Sequence, residues 1–234
     1  MSSVHLEIRT LSDRLVDVVR DFILSGVIPS EEAIRQDALA AELRVSKIPL
    51  REALARLEQD GLVISHPNRG FFVRPMSPEE AEEVYALRLK LEPDAAAHAC
   101  LIATEKDHER ARQALAQFDI EAAAHKSTVG ASNRAFHLAL VQPGGHRVTT
   151  NIVARLHVLA DRYVRKHLEP KGRVLRAEAE HHEMLDAWIN RRDARVRKMI
   201  TEHLTHTLGD LRSVLSPPSA TRSVAAKRKK KTRK

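Results

Sequence analysis

The sequence predicts a mainly α protein: an N-terminal winged helix-turn-helix (three helices plus a β-hairpin) followed by an all-α antiparallel helical bundle. Three observations predict it. Apolar residues make up 43% of the chain but aromatics only 3%, so the core is drawn from Ala, Leu and Val, a helix-favouring mixture. Glycine is scarce, at 8 of 234 residues, which leaves few tight β-turns. Apolar positions recur at spacings of three and four almost throughout, interrupted once by two short β-type runs.

Leu11, Leu15, Val18, Val19, Phe22 and Ile23 form one helical face over 11–25, ended by Gly26 and Pro29. A short second helix is predicted over 34–43, with Leu39 and Leu43 inward. After a brief turn at Arg44–Val45, Ser46 is placed to cap a third helix carrying Leu50, Ala53, Leu54 and Leu57. LVIS and FFVR, either side of HPNRG, read as a hairpin. Pro75 and Pro78 mark a boundary, giving domains over 1–76 and 77–215. Beyond it, helices are predicted near 79–103, 105–125, 128–141, 147–168, 173–191 and 193–215. Their breaks fall at Thr104, Ser127–Gly130, Pro143–Gly145, Pro170–Gly172 and Asp193. Residues 216–234, rich in Pro, Ser and Lys/Arg, read as a disordered basic tail.

The charge of +8 is misleading as a sign of DNA binding. The tail holds eight basic residues and no acid, which is the whole of the excess. The winged domain is near neutral, with 10 basic and 11 acidic residues from Met1 to Pro75. The local pattern is more informative. From Ser46 to Arg51 the charges are Lys47 and Arg51, four apart and therefore on one helical face. They stand at a helix N-terminus, whose free N–H groups suit a phosphate. Arg69 at the hairpin tip is the natural wing contact, and Arg35 is placed to reach the DNA backbone from the start of the second helix.

These residues carry a family resemblance. Val45-Ser46-Lys47-Ile48-Pro49-Leu50-Arg51-Glu52-Ala53-Leu54, the Leu57–Leu62 segment and the Arg69–Val73 wing resemble the DNA-binding domain of GntR-type regulators. The resemblance implies operator contacts by Ser46, Lys47, Arg51 and Arg69. Two departures stand out: Arg44 where the family usually has Gly, and Pro29–Ser30 where it has Pro-Gly.

The second half is rich in histidine. Asn133 and His137 lie four apart on one predicted helix, His181 on the next-to-last helix and His203 on the last. Three imidazoles and an oxygen donor suit a first-row divalent ion (Zn, Ni or Mn), although spacing alone is a weak signal and each His fits a surface position as well. For Arg88, spacing allows a salt bridge to Glu92 at i+4 or a guanidinium clamp for a carboxylate. Here too there is a resemblance. LRLKLEPDAA (87–96), SNRAFHLAL (132–140), EHHEMLDAW (180–188) and RRDARVRKMITEHL (191–204) resemble the FCD effector domain of the FadR subgroup. That implies a metal on Asn133, His137, His181 and His203 at the floor of a ligand pocket, and a small organic acid as the ligand, which agrees with the reading of Arg88 as an effector contact. The family's usual Asp is Asn133 here, which weakens the site and puts its occupancy in doubt. His182 and His206 compete for the same roles, but the motif favours His181 and His203.

The expected protein is thus a cytoplasmic, homodimeric transcription regulator, a repressor by preference. Its partners would be double-stranded operator DNA and a small carboxylate, and it would not be an enzyme. A metal-dependent enzyme built on the helical half is the alternative, and a structural or RNA-binding role driven by the basic tail a third reading. The single cysteine, Cys100, excludes an intrachain disulfide and fits a reducing compartment. The N-terminal stretch lacks the apolar core of a signal peptide. No apolar run is long enough to span a membrane.

Overall fold

Three helices open the chain, α1 (Leu11–Leu24), α2 (Gln36–Glu42) and α3 (Lys47–Gln59), followed by strands β1 (Val63–His66) and β2 (Gly70–Val73). Six more follow: α4 (Pro78–Ile102), α5 (Glu105–Ala123), α6 (Val129–Val141), α7 (Arg147–Leu168), α8 (Arg173–Ile189) and α9 (Asp193–Leu215). The computed structural model describes residues 10–124, 128–168 and 170–215. The tail expected over 216–234, the segment before Thr10 and the break at Ser127 lie outside them.

Local chemistry accounts for the boundaries. Thr10 and Thr104 each close a capping box, with Asp13 and Asp107 respectively. Ser77 caps α4 by accepting from Glu80 N–H, with Pro78 beginning the helix. The wing pairs Val63 with Val73 through His66 with Gly70, and Asn68 (φ 60°) supplies the left-handed turn residue between them. Residues 31–34 extend the hairpin on its outer side: Glu31 and Ile34 N–H donate to Val73 and Phe71, and Val73 N–H donates to Glu32. The sequence reading had no strand there, because one isolated bridge, Ala33 to Phe72, leaves no alternating pattern to see.

Each domain has its own core. Leu15, Val19, Leu50, Leu54, Leu57 and Leu62 close the first. Leu11, expected on the inner face of α1, is instead exposed at the helix start, and Val16 and Leu24 are buried on that face. In the second domain α4 lies against both α7 and α9, and α5 against α6. Trp188 is fully buried, and its indole N–H donates to Leu140 O at 3.1 Å.

The two domains meet along α7. Arg155 donates to Gln59 O (2.6 Å) at the end of α3, Arg165 to Leu24 O (3.0 Å) at the end of α1, and Arg162 to Arg74 O beside the wing. Helix C-termini leave carbonyls without intrahelical partners, and these carry partial negative charge that a guanidinium satisfies. Val158 on the same helix packs against the winged domain's core. Tyr163 ties the linker by donating to Glu80 (2.7 Å) and accepting from Ser77 N–H (3.1 Å).

Candidate functional site

On the winged domain, Arg35, Ser46, Lys47, Arg51 and Arg69 are all exposed. Ser46 occupies the cap position of α3 with extended backbone, yet its hydroxyl makes no bond to the helix, contrary to expectation. Pro49 explains part of this. A capping side chain accepts from the second or third helical N–H, and the third residue here is proline. The hydroxyl is left facing outward. Lys47 pairs with Asp37 across the surface at 2.6 Å, an exposed contact of small value that a phosphate can replace. Glu52 is drawn back to α1 by Ser12, whose hydroxyl donates to it at 2.5 Å. Arg69 lies over the Phe72 ring at 5.3 Å, which holds the wing tip.

In the bundle, the sequence-selected imidazoles converge. His137 on α6, His181 on α8 and His203 on α9 are buried, and each offers a ligand atom within 4.8 Å of the others. His203 Nδ1 is held by Glu180 at 2.6 Å, which turns Nε2 inward to face His181 Nε2 at 3.4 Å. Glu180 also meets His206 Nδ1 at 3.2 Å, so His206 stands outside the cluster. His182 points away, to Asp119. His137 Nε2 and His181 Nδ1 are buried without partners. Converging imidazoles with orphaned nitrogens fit a divalent ion, and His137, His181 and His203 are the residues able to hold it. Asn133 is also buried and shares a cavity of about 10 Å³ with Arg88 and His203. That volume is about one water.

Arg88 differs from the effector clamp expected of it. It is 1% exposed and closed on Glu92, also 1% exposed, with Nε–Oε1 at 2.5 Å and Nη2–Oε2 at 3.2 Å. In this conformation the salt bridge, the other reading allowed by the spacing, is the one formed, and there is no room beside the guanidinium for an organic acid. Sequence reasoning missed His157 on α7. Its Nε2 lies 3.2 Å from Glu92 Oε1 and 3.3 Å from Arg88 Nη2. Glu92, His137 and His157 form a second group of ligand-capable atoms within 4.8 Å. No motif marks His157. Glu180, also missed, stands directly before His181 in the quoted motif, and that adjacency was its one signal.

The electrostatics follow from burial. Burial alone would raise the Glu92 pKa, but Arg88 and His157 hold it at about 2. Glu180, opposed by burial in the same way, is held at about 2 by His203 and His206. Burial pushes His137 and His181 well below 6.5, helped by the repulsion a second charged imidazole in the cluster would meet, and burial with Arg88 lowers His157. These imidazoles are therefore neutral, the form that ligates metal.

Three helices with a β-wing, joined to a helical bundle that gathers buried imidazoles, make a winged-helix transcription regulator with a helical C-terminal domain. Residues 11–73 match the bacterial regulatory proteins of the gntR family, and residues 83–206 match the FCD domain. The chain belongs to the GntR family and carries an FCD domain; it is a DNA-binding transcriptional regulator and not an enzyme. It is 36% identical over 110 residues to the Nta operon transcriptional regulator of Aminobacter aminovorans, covering 47% of this chain and 52% of that one. The chain thus spans about half the length of that relative. It is 26% identical over 210 residues to the HTH-type transcriptional regulator YdhC of Bacillus subtilis (strain 168), covering 84% and 89%. Among solved structures, E. coli McbR/YncC shares the fold with a TM-score of 0.76 at 19% identity, over 88% of this chain and 99% of that one. Among the described residues no helix is long and apolar enough to cross a membrane.

Proposed function

We propose that this regulator is a cytoplasmic homodimer that represses from its ligand-free form and releases operator DNA when a small organic acid enters a metal-containing bundle. The observation that carries the reading is the convergence of His137, His181 and His203, with one ring nitrogen orphaned on each of His137 and His181. With Asn133 beside them, these residues hold a divalent ion of the Zn, Ni or Mn type. The ion supplies a Lewis-acid anchor for an effector carboxylate. Arg88 is the second anchor, once it leaves Glu92. Operator DNA is contacted by Ser46, Lys47, Arg51 and Arg69, with Arg35 on the backbone. Support for the contacts comes from their exposure around one helix N-terminus and one wing tip. Support for repression comes from α7, which fixes the DNA-binding domain while the bundle is closed on itself.

Protein purified without chelator is expected to carry close to one equivalent of metal by elemental analysis, and His181→Ala little or none. Absence of metal from the unaltered protein counts against the centre. In parallel, Arg51→Ala is expected to lower affinity for the regulator's own promoter by about 1–3 kcal/mol and to relax sequence preference. Unchanged binding removes Arg51 from the reading surface.

A further inference from the structure

The inference rests on the metal reading above and concerns the charge that the three-imidazole set lacks. Asn133 is an amide, so His137, His181, His203 and Asn133 together offer a buried dication no formal negative charge. A buried divalent ion is held more tightly with a carboxylate beside it; Glu180 stands behind His203, on Nδ1 at 2.6 Å, and not at the face where the imidazoles converge. Glu92 is the buried carboxylate that faces the cluster. Its Oε2 lies 3.6 Å from His137 Nδ1, and its Oε1 3.2 Å from His157 Nε2. The two ligand-capable groups thus share His137.

The second group is also unsatisfied as it stands. His157 Nε2 touches both a guanidinium, which can only donate, and a carboxylate oxygen, which can only accept. One ring nitrogen is either protonated or not, so it serves one neighbour and opposes the other. Its other nitrogen, Nδ1, is buried with no partner. A cation on the Glu92 side of His157 removes the conflict, because Nε2 and Oε1 both become lone-pair donors to it.

We propose that Glu92 is this chain's anionic metal ligand: with His157 and the shared His137 it forms a seat for a first-row divalent ion, supplying the charge that position 133 does not. The consequence falls on Arg88. Its guanidinium is buried, and Glu92 is its ion-pair partner. When Glu92 turns to the ion, Arg88 is left needing an anion, and a small carboxylate fills that need. Metal loading and carboxylate binding are then linked, each strengthening the other by the same factor.

The test uses the full chain, stripped with chelator, with Zn²⁺ affinity read by competition against a chromophoric chelator. His157→Leu leaves the Arg88–Glu92 pair standing. The double variant Arg88→Met/Glu92→Gln removes both charges together, so that neither is left alone in the core. Circular dichroism checks that each folds. Both are expected to bind Zn²⁺ at least about tenfold more weakly than the unaltered protein, and Asn133→Asp placed in the double variant to restore most of the loss. Succinate is expected to tighten Zn²⁺ binding in the unaltered protein and not in the double variant. Unaltered-protein affinity in either folded variant, with affinity lost in His181→Ala, overturns this proposal and leaves the three-imidazole centre intact. No Zn²⁺ uptake by the unaltered protein overturns both.

Discussion

Arg44 holds the left-handed conformation, with φ at 53°, in the turn that sets α3 against α2. A non-glycine residue there is strained by about 1–2 kcal/mol. Glycine would remove that strain at an entropic cost of about 0.5–1 kcal/mol in the unfolded chain. Arg44→Gly is therefore expected to stabilise the winged domain by about 0.5–1 kcal/mol, seen as a raised urea midpoint. A lowered midpoint would show that the Arg44 side chain holds something more than the turn. The buried histidines make a second prediction at this scale. In metal-stripped protein His137, His157 and His181 stay neutral in the fold, and burial lowers His167 to about 4. All titrate near 6.5 when unfolded. Below that value the unfolded state binds more protons, so stability falls with falling pH. By pH 5 His167 is expected to remove about 2 kcal/mol, from 1.5 pH units at about 1.36 kcal/mol each. Its loss runs from pH 6.5 to about 4, and the other three add losses of the same sign. Glu92, held at about 2, adds its own loss below its ordinary range. A urea midpoint that stays flat from pH 7 to 5 would contradict the neutral cluster.

At the scale of elements, what the sequence made legible was whatever is decided locally. Thr104, Ser77 and Pro78 start their helices where hydroxyl, acid and proline predict, because caps act within four residues. Ser46 marks the limit of that logic: its position was right and its bond wrong, with proline three residues on removing one of the two donors a cap can use. The metal-capable set divides in the same way. His137, His181 and His203 stand in motifs and were found. His157 and Glu92 face each other only because α7 packs on α4, and no spacing along the chain records that. Arg88 was ambiguous for a related reason. A clamp and an i,i+4 salt bridge have the same sequence, and only the packing around them chooses.

At the scale of the whole molecule, α7 is the element with a foot in each half. His157 lies in the metal-capable cluster, while Arg155 and Val158, within one turn of it, reach Gln59 O and the winged domain's core. His157 is thus one helical turn from a contact with the end of α3, the helix bearing Lys47 and Arg51, and we predict that a displacement of His157 is felt there. Arg162 and Arg165 extend the grip to Arg74 and Leu24. On the proposed function, these carbonyl contacts are the route by which the bundle acts on the winged domain, alongside the linker. Zn²⁺ addition is expected to change amide hydrogen exchange at residues 56–62 in the unaltered protein. In Arg155→Ala, Zn²⁺ should bind with unchanged affinity while that change disappears, and the influence of Zn²⁺ on promoter affinity should shrink by about 0.5–2 kcal/mol. This separates coupling from binding, since Arg155 touches neither the cluster nor the exposed face of α3 at Lys47 and Arg51. An Arg155→Ala variant that transmits as well as the unaltered protein would move the coupling to another contact between the halves, with Tyr163 and Ser77 at the linker the next place to look.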